Sequence, residues 1–144
     1  MNKIKYFFHL LSYLQYPLLI VGLFFIVKPL FKGFDYLSSN SEYVFQNYNY
    51  ALIFLGLTLG FASLQDSTKT TLKYEKNIWR NPKKAKRIMI FTIAAMIIFL
   101  FAGVFGFIMK DSFVKDFAYG SIVLAVGLLG YLKLQMEMYE NHKP

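Results

Sequence analysis

The chain of 144 residues is long enough for a single domain, 1–144; 56% of its residues are hydrophobic, 19% are aromatic, and its formal net charge is +8. The charged residues occur in a few blocks between long apolar runs, which is typical of a membrane protein, and this placement favours an anionic membrane face over nucleic acid as the partner of the basic excess. The absence of cysteine excludes disulfides, thiolate metal sites and a cysteine nucleophile.

Four apolar stretches are predicted as transmembrane helices, at 6–27, 48–64, 88–109 and 117–132. The first and third contain no Asp, Glu, Lys or Arg, and at about 1.5 Å per residue each is long enough to cross a hydrocarbon core of about 30 Å. Lys28 and Pro29 follow the first stretch where a signal peptide would carry a cleavage site of small residues, so we expect a retained helix. Pro17 lies near the middle of this helix and, since it offers no N–H to the carbonyl of Tyr13, predicts a kink.

The second and third predicted helices are joined by a strongly basic connection, 65–87, which precedes the hairpin 88–135 and the tail 136–144. Lys and Arg are far more frequent in the start of the chain, this connection and the tail than in the two loops at the opposite ends of the helices. The positive-inside rule therefore places both termini in the cytoplasm. The predicted fold is an all-α membrane protein of four transmembrane helices, arranged as two tandem helical hairpins, 6–64 and 88–135, in the inner membrane of a bacterial cell.

The end of the basic connection carries the densest positive charge of the chain. Asn81 and Pro82 are typical of an N-cap and a first helical position, so the third helix is predicted to start there. Trp79 is expected at the membrane interface. The bases in the next turn indicate either simple anchoring on the cytoplasmic side or contact with anionic lipid headgroups, and they are Lys83, Lys84, Lys86 and Arg87.

Small residues recur on one face of each of the last three predicted helices. In lipid, where no hydrophobic effect drives helices together, small side chains allow close approach of backbones. The candidate helix-packing residues are Gly56, Gly60, Ser63, Ala102, Gly106, Gly120, Gly127 and Gly130.

The two halves of the chain share a motif, L-G-aromatic-x-x-L-Q, at 59–65 and 129–135. Each copy closes a hairpin that starts and ends on the same side, so the repeat is parallel and predicts a pseudo-two-fold axis along the membrane normal. A parallel repeat occurs in transporters, but it is equally a simple way to build a helical bundle.

The first half also carries V-G-L at 21–23 and Y-x-x-A-x-x-x-L-G-L at 48–57. In these motifs the chain resembles the bacterial inner-membrane proteins built from the YiaAB two-helix domain. The second half departs from that pattern, because 102–104 reads A-G-V. The resemblance implies a small four-helix protein of the inner membrane and implies no particular activity.

One polar group of side chains lies within a predicted span, on one face of the first helix: His9, Ser12, Tyr13 and Tyr16. His9 could ligate a metal or haem, with His142 as the nearest candidate partner, but hydroxyls bonding to a neighbouring helix are the simpler interpretation. No Asp or Glu lies in the middle of any span, and no motif of a catalytic or phosphate-binding site occurs. We therefore predict no catalytic residue, no cofactor and no metal.

Two hypotheses on function follow from the sequence. The first is a non-enzymatic multi-pass membrane protein that acts through helix packing, as a homo-oligomer or as an accessory subunit of a membrane complex. The second is a small oligomeric transporter or channel, with Tyr13, Tyr16 and Thr58 along a polar path. Recognition of anionic membrane lipids by the basic connection is compatible with both.

Overall fold

The computed structural model describes residues 2–68, 73–109 and 112–143. Over these residues the regular elements are helices and no strand occurs, which confirms the predicted all-α class. A 3₁₀ segment, Lys28–Lys32, follows the second helix. The α-helices are α1 Asn2–Ser12, α2 Gln15–Val27, α3 Phe34–Ser39, α4 Ser41–Ala62, α5 Lys73–Trp79, α6 Pro82–Ile108 and α7 Ser112–His142.

Three helical segments among the described residues are long and apolar enough to cross a membrane, namely Lys3–Lys32, Pro82–Ile108 and Val114–His142. They contain the predicted first, third and fourth spans almost completely. The predicted second span falls in α4, which is not one of the three although it has 22 residues. The amides Gln46 and Asn47 lie in the first half of α4 and lower its hydropathy.

The helix that was predicted to kink at Pro17 is interrupted one turn earlier, at Tyr13 and Leu14, which separate α1 from α2. The Tyr13 carbonyl accepts a hydrogen bond from the N–H of Tyr16 at 3.2 Å, one residue short of an α-helical partner. Pro17 has no N–H to offer that carbonyl, so the chain tightens locally and then resumes as α2. The predicted disruption is confirmed.

The four long helices pack side by side as a single layer in the order α2, α4, α7, α6. Among the described residues, α2 packs along α4 alone of the other long helices, and α6 packs along α7 alone. The central position of the layer is therefore occupied by the pair α4 and α7; the first copy of the repeated motif begins in α4, and the second lies within α7.

The direction of each helix follows from contacts at the two ends of a pair. The Phe25 ring lies 5.2 Å from that of Tyr50, near the start of α4, whereas His9 is hydrogen-bonded to the backbone just beyond the end of α4. The chain segment of α1 and α2 therefore runs antiparallel to α4. In the same way, α6 and α7 are antiparallel. Gly103, near the end of α6, lies against Ile122 in the first half of α7. Thr92, about one-third along α6, is hydrogen-bonded to Gln135 in the last third of α7.

The central pair, by contrast, is parallel. The N–H of Gly120 donates to Asn49 Oδ1 at 2.8 Å near the start of both helices, and Asn141 Nδ2 donates to Ser67 Oγ at 2.9 Å beyond the end of α4. Asn49 and Gly120 are 71 residues apart in the chain, close to the spacing of the two copies of the repeated motif. The contacts thus pair corresponding parts of the two halves.

Glycine makes the close approach of α4 and α7 possible. A Cβ atom built on Gly56 would lie 2.6 Å from the carbonyl oxygen of Val123, and one on Gly127 would collide with the carbonyl oxygen of Gly56. At Gly120 a Cβ atom would lie 2.6 Å from the carbonyl oxygen of Asn49. These obstacles are backbone atoms, which cannot rotate away, so the spacing of the two helices depends on the missing side chains.

We expect Gly127→Ala to destabilise the fold although alanine is the better helix former. The added methyl group would push α4 and α7 apart, and overpacking of this kind costs about 1–3 kcal/mol. Gly60→Ala is the matched control, because a Cβ atom there would meet nothing within 4 Å. Thermal unfolding in detergent, followed by circular dichroism, should show a lower midpoint for Gly127→Ala and an unchanged or higher one for Gly60→Ala. Equal midpoints for the two variants would contradict this packing.

Candidate functional site at the connection end

The three segments predicted to be cytoplasmic lie at one end of the helical layer. The N–H of Asp66 donates to His9 Nδ1 at 3.4 Å, which joins the start of the chain to the turn after α4. The bond between Asn141 and Ser67 joins that turn to the end of α7. We call this end of the layer the connection end; it comprises the described residues of 3–9, 63–68, 76–87 and 133–143.

Trp79 belongs to a small hydrophobic core at the connection end. It is 4% exposed and packs with Ala85, Leu134 and Met138. The indole is covered by protein, because α5 packs against both the start of α6 and the end of α7. The expectation that Trp79 lies at the depth of the membrane interface stays a prediction.

The predicted helix start at the basic turn is confirmed. Asn81 Oδ1 accepts hydrogen bonds from the N–H groups of Lys83 and Lys84 at 3.1 and 3.3 Å, so Asn81 is the N-cap of α6. Ala85 is 0% exposed and fixes one side of this turn against α7. The four bases project from the remaining sides, are exposed, and form no ion pair within the part of the chain that the structure describes; they are Lys83, Lys84, Lys86 and Arg87.

A polar pocket of about 470 Å³ opens between the start of the chain, the turn after α4 and the end of α7. Among the described residues, Lys5, Asp66, Glu137 and Glu140 are the charged ones that line it. Sequence reasoning treated the two glutamates only as part of a polar tail. Their relation to Asp66 could not be read from the sequence, because it depends on the parallel packing of α4 and α7.

An apolar groove of about 400 Å³ lies between α4 and α7. Gly60 and Phe61 of α4 and Val126 of α7 line it, and Leu64 lines both this groove and the polar pocket. The groove and the pocket are therefore adjacent, with Leu64 between them.

Most candidate helix-packing residues contact helices of the same chain. Gly106 approaches Ala118, and Gly130 approaches the Ser63 hydroxyl, which donates to the carbonyl oxygen of Gly60. Together with the three glycines of the α4 and α7 contact, these residues are already used inside the layer. Ala102 is exposed, and its neighbour Gly103 is the residue that faces α7.

The predicted polar face of the first helix is divided. Ser12 is buried and donates to the carbonyl oxygen of His9 at 2.6 Å. Tyr13 and Tyr16 are 53% and 56% exposed, with their rings 6.2 Å apart. Thr58 is buried and donates to the carbonyl oxygen of Phe54, so the three residues suggested for a polar path do not share one surface of the monomer.

A buried polar contact between α6 and α7 was not foreseen. Gln135 is 1% exposed, and its Nε2 donates to Thr92 Oγ1 at 3.0 Å, while the Thr92 hydroxyl donates to the carbonyl oxygen of Ile88. Gln135 Oε1 is buried and has no hydrogen-bond partner among the described residues. The repeated motif singled out this glutamine, but nothing in the sequence identified Thr92 as its partner.

Within the described residues, no three His, Asp or Glu side chains are grouped closely enough to hold a metal ion. No family model, curated protein or solved structure matches the chain. The resemblance to YiaAB-type proteins therefore stays a prediction, and function has to be argued from the geometry of this chain alone.

Thr92→Val should destabilise the protein more than Gln135→Leu. The valine would leave both polar ends of a buried amide without a partner, which costs about 1–3 kcal/mol. The leucine would remove the amide together with its unpaired oxygen and leave Thr92 bonded to Ile88. Unfolding midpoints of both variants and of the double variant check this order, and the double variant should resemble Gln135→Leu. A larger loss for Gln135→Leu than for Thr92→Val would contradict the assignment.

Proposed function

We propose that this chain is a small multi-pass protein of the cell inner membrane that catalyses no reaction and acts through helix packing, as a homo-oligomer or as an accessory subunit of a membrane complex. In this proposal the chain crosses the bilayer four times, in α2, α4, α6 and α7, as two tandem hairpins. Both termini and the basic connection lie in the cytoplasm, where the exposed bases of the α6 start meet anionic lipids.

The observation that carries the proposal is the single layer of helices. A layer one helix thick has little interior, and large apolar side chains lie exposed on its outer helices, for example Ile20 of α2 and Phe91 of α6, the latter 75% exposed. In water such a surface would be strongly unfavourable. In a bilayer it is covered by acyl chains or by helices of a neighbouring protein.

The place of α4 in the layer supports it as the fourth span in spite of its lower hydropathy. Asn47 is buried, and the amide of Asn49 accepts a hydrogen bond from α7. The amides of Asn47 and Asn49 are therefore covered by protein, fully or in part, whereas Gln46 is exposed. A polar side chain that is covered in this way costs much less than one in contact with hydrocarbon.

The topology can be tested because the chain contains no cysteine. Single variants Ser41→Cys and Asn77→Cys place a thiol on exposed residues at opposite ends of the layer. We expect a membrane-impermeant maleimide to label Ser41→Cys in intact cells and Asn77→Cys only in inverted membrane vesicles. The reverse pattern would invert the orientation, and labelling of both from one side would contradict four spans.

The packing role is tested by crosslinking in native membranes. Single variants Ile20→Cys on α2 and Ile98→Cys on α6 place thiols on exposed positions of the two outer helices. With a short bifunctional maleimide we expect at least one of them to give a discrete dimer or one defined heavier adduct. A chain that stays monomeric at both positions, and that conducts ions or solutes in proteoliposomes, would contradict the proposal and favour the transporter alternative.

A further inference from the structure

An apolar groove and a polar pocket lie next to each other at the connection end. The apolar groove between α4 and α7, about 400 Å³, and the polar pocket at the connection end, about 470 Å³, share Leu64 as a common wall. A molecule that occupies both would place an apolar part between the two central helices and a polar part at the end of the layer.

The residues of α7 that line the two cavities lie on one face of that helix. Val126 lines the groove and Glu137 lines the pocket, and they are about three helical turns apart. Ile122 of the groove and Glu140 of the pocket are about five turns apart. Residues separated by whole numbers of turns lie on the same face of a helix. At about 1.5 Å per residue, Val126 and Glu137 are separated by about 16 Å. This matches about 15 Å, the depth of one leaflet of the hydrocarbon core.

The groove has room for an acyl chain. A Cβ atom built on Gly60 meets no atom within 4 Å, whereas the same construction at Gly56, one turn earlier, meets the backbone of α7. The two helices therefore touch at Gly56 and leave a gap at Gly60, which Phe61 and Val126 border. In lipid such a gap is filled, because an empty one would forfeit dispersion contacts along its walls.

The pocket has the charges of a zwitterion receptor. Among the described residues that line it, three are acidic, Asp66, Glu137 and Glu140, and one is basic, Lys5. Glu137 also lies 3.7 Å from the ammonium group of Lys133. This described part of the lining favours an ammonium-bearing headgroup over a purely anionic one, and the exposed bases of the α6 start lie elsewhere.

We propose that the groove and pocket bind one amine-bearing zwitterionic phospholipid, of the phosphatidylethanolamine type, with an acyl chain along Gly60, the phosphate at Lys5 and the ammonium group at Glu137 and Glu140. The N–H groups of a primary ammonium ion form charge-assisted hydrogen bonds with carboxylates. A quaternary ammonium headgroup has no such donors and is bound instead by aromatic cages, and among the described residues Phe8 is the one aromatic residue that lines the polar pocket. The inference rests on the membrane placement proposed above.

The test is native mass spectrometry of the full chain in mild detergent, with equimolar phosphatidylethanolamine, its N-methylated series up to phosphatidylcholine, and phosphatidylglycerol. We expect one bound phosphatidylethanolamine, preferred about tenfold over phosphatidylcholine and phosphatidylglycerol, since a charge-assisted hydrogen bond is strong enough for such a factor. The preference should fall stepwise as the amine is methylated. This series needs no variant and therefore does not depend on whether any substitution folds.

Two variants separate the parts of the site. Glu137→Gln with Glu140→Gln should abolish the headgroup preference and keep lipid binding, whereas Gly60→Leu should fill the groove and reduce binding of all the lipids. Ala102→Leu, which places the same side chain on an exposed position of α6, is the control and should leave binding unchanged.

Equal binding of all headgroups by the unmodified chain would overturn the inference, as would a preference for phosphatidylglycerol or binding that Gly60→Leu does not affect. A dimer of the unmodified chain that Gly60→Leu abolishes would identify a second copy in the groove and would also overturn it. If the chain is embedded in the membrane but shows no headgroup preference, the lipid site is refuted and the proposed function is not. A chain that dissolves in buffer without detergent refutes the proposed function itself.

Discussion

The close contact between the backbones of α4 and α7 determines the rest of the structure. Because Gly56 and Gly127 have no side chains, the carbonyl of one helix lies against the Cα of the other. This contact joins two antiparallel helix pairs into one layer. In a bilayer, where apolar burial offers little net gain between helices, van der Waals contact of this kind is a main source of association energy. The contact between α4 and α7 also occupies most of the small residues that could otherwise pack against helices of a partner protein.

Polar side chains fix the register that glycine alone leaves adjustable. Asn49 holds the start of α7, and Gln135 holds the first part of α6 against the end of the same helix. Both bonds lie between helices that are far apart in sequence, so each excludes a sliding of one helix along the other. The central helix α7 is consequently tied at both ends, to α4 near its beginning and to α6 near its end.

The sequence was informative where the signal is local. The N-cap at Asn81, the disturbance before Pro17 and the all-helical class each depend on a few adjacent residues or on composition, and the structure confirms them. Of the predicted spans, three coincide with helices that are long and apolar enough to cross a membrane. The predicted second span, in α4, is not among them, because amides in the first half of α4 lower its hydropathy. Glycine spacing indicated close packing but selected Ala102, whereas Gly103, about 100° further round the helix, faces α7.

The site was not accessible to the same reasoning because it is assembled from distant segments. Lys5, Asp66 and Glu137 are brought to one pocket only by the parallel arrangement of the central helices. Trp79 is a second example: its residue type favoured an interfacial position, but its burial against Leu134 and Met138 could not be read from the sequence. Residue preferences reflect the surroundings of a single helix, whereas the polar pocket and the burial of Trp79 depend on contacts between helices.

The location of α4 has a consequence for how such a protein is made. In the proposed arrangement α4 is the helix with the weakest tendency to leave the translocation machinery for lipid, since its amides must be covered by other helices. Its closely packed neighbour, α7, is synthesised later, after α6. The growing chain must therefore hold α4 beside α2, at the translocon or in a provisional position, until α7 emerges. A chain truncated before α7 would lack the helix that retains α4 in the layer.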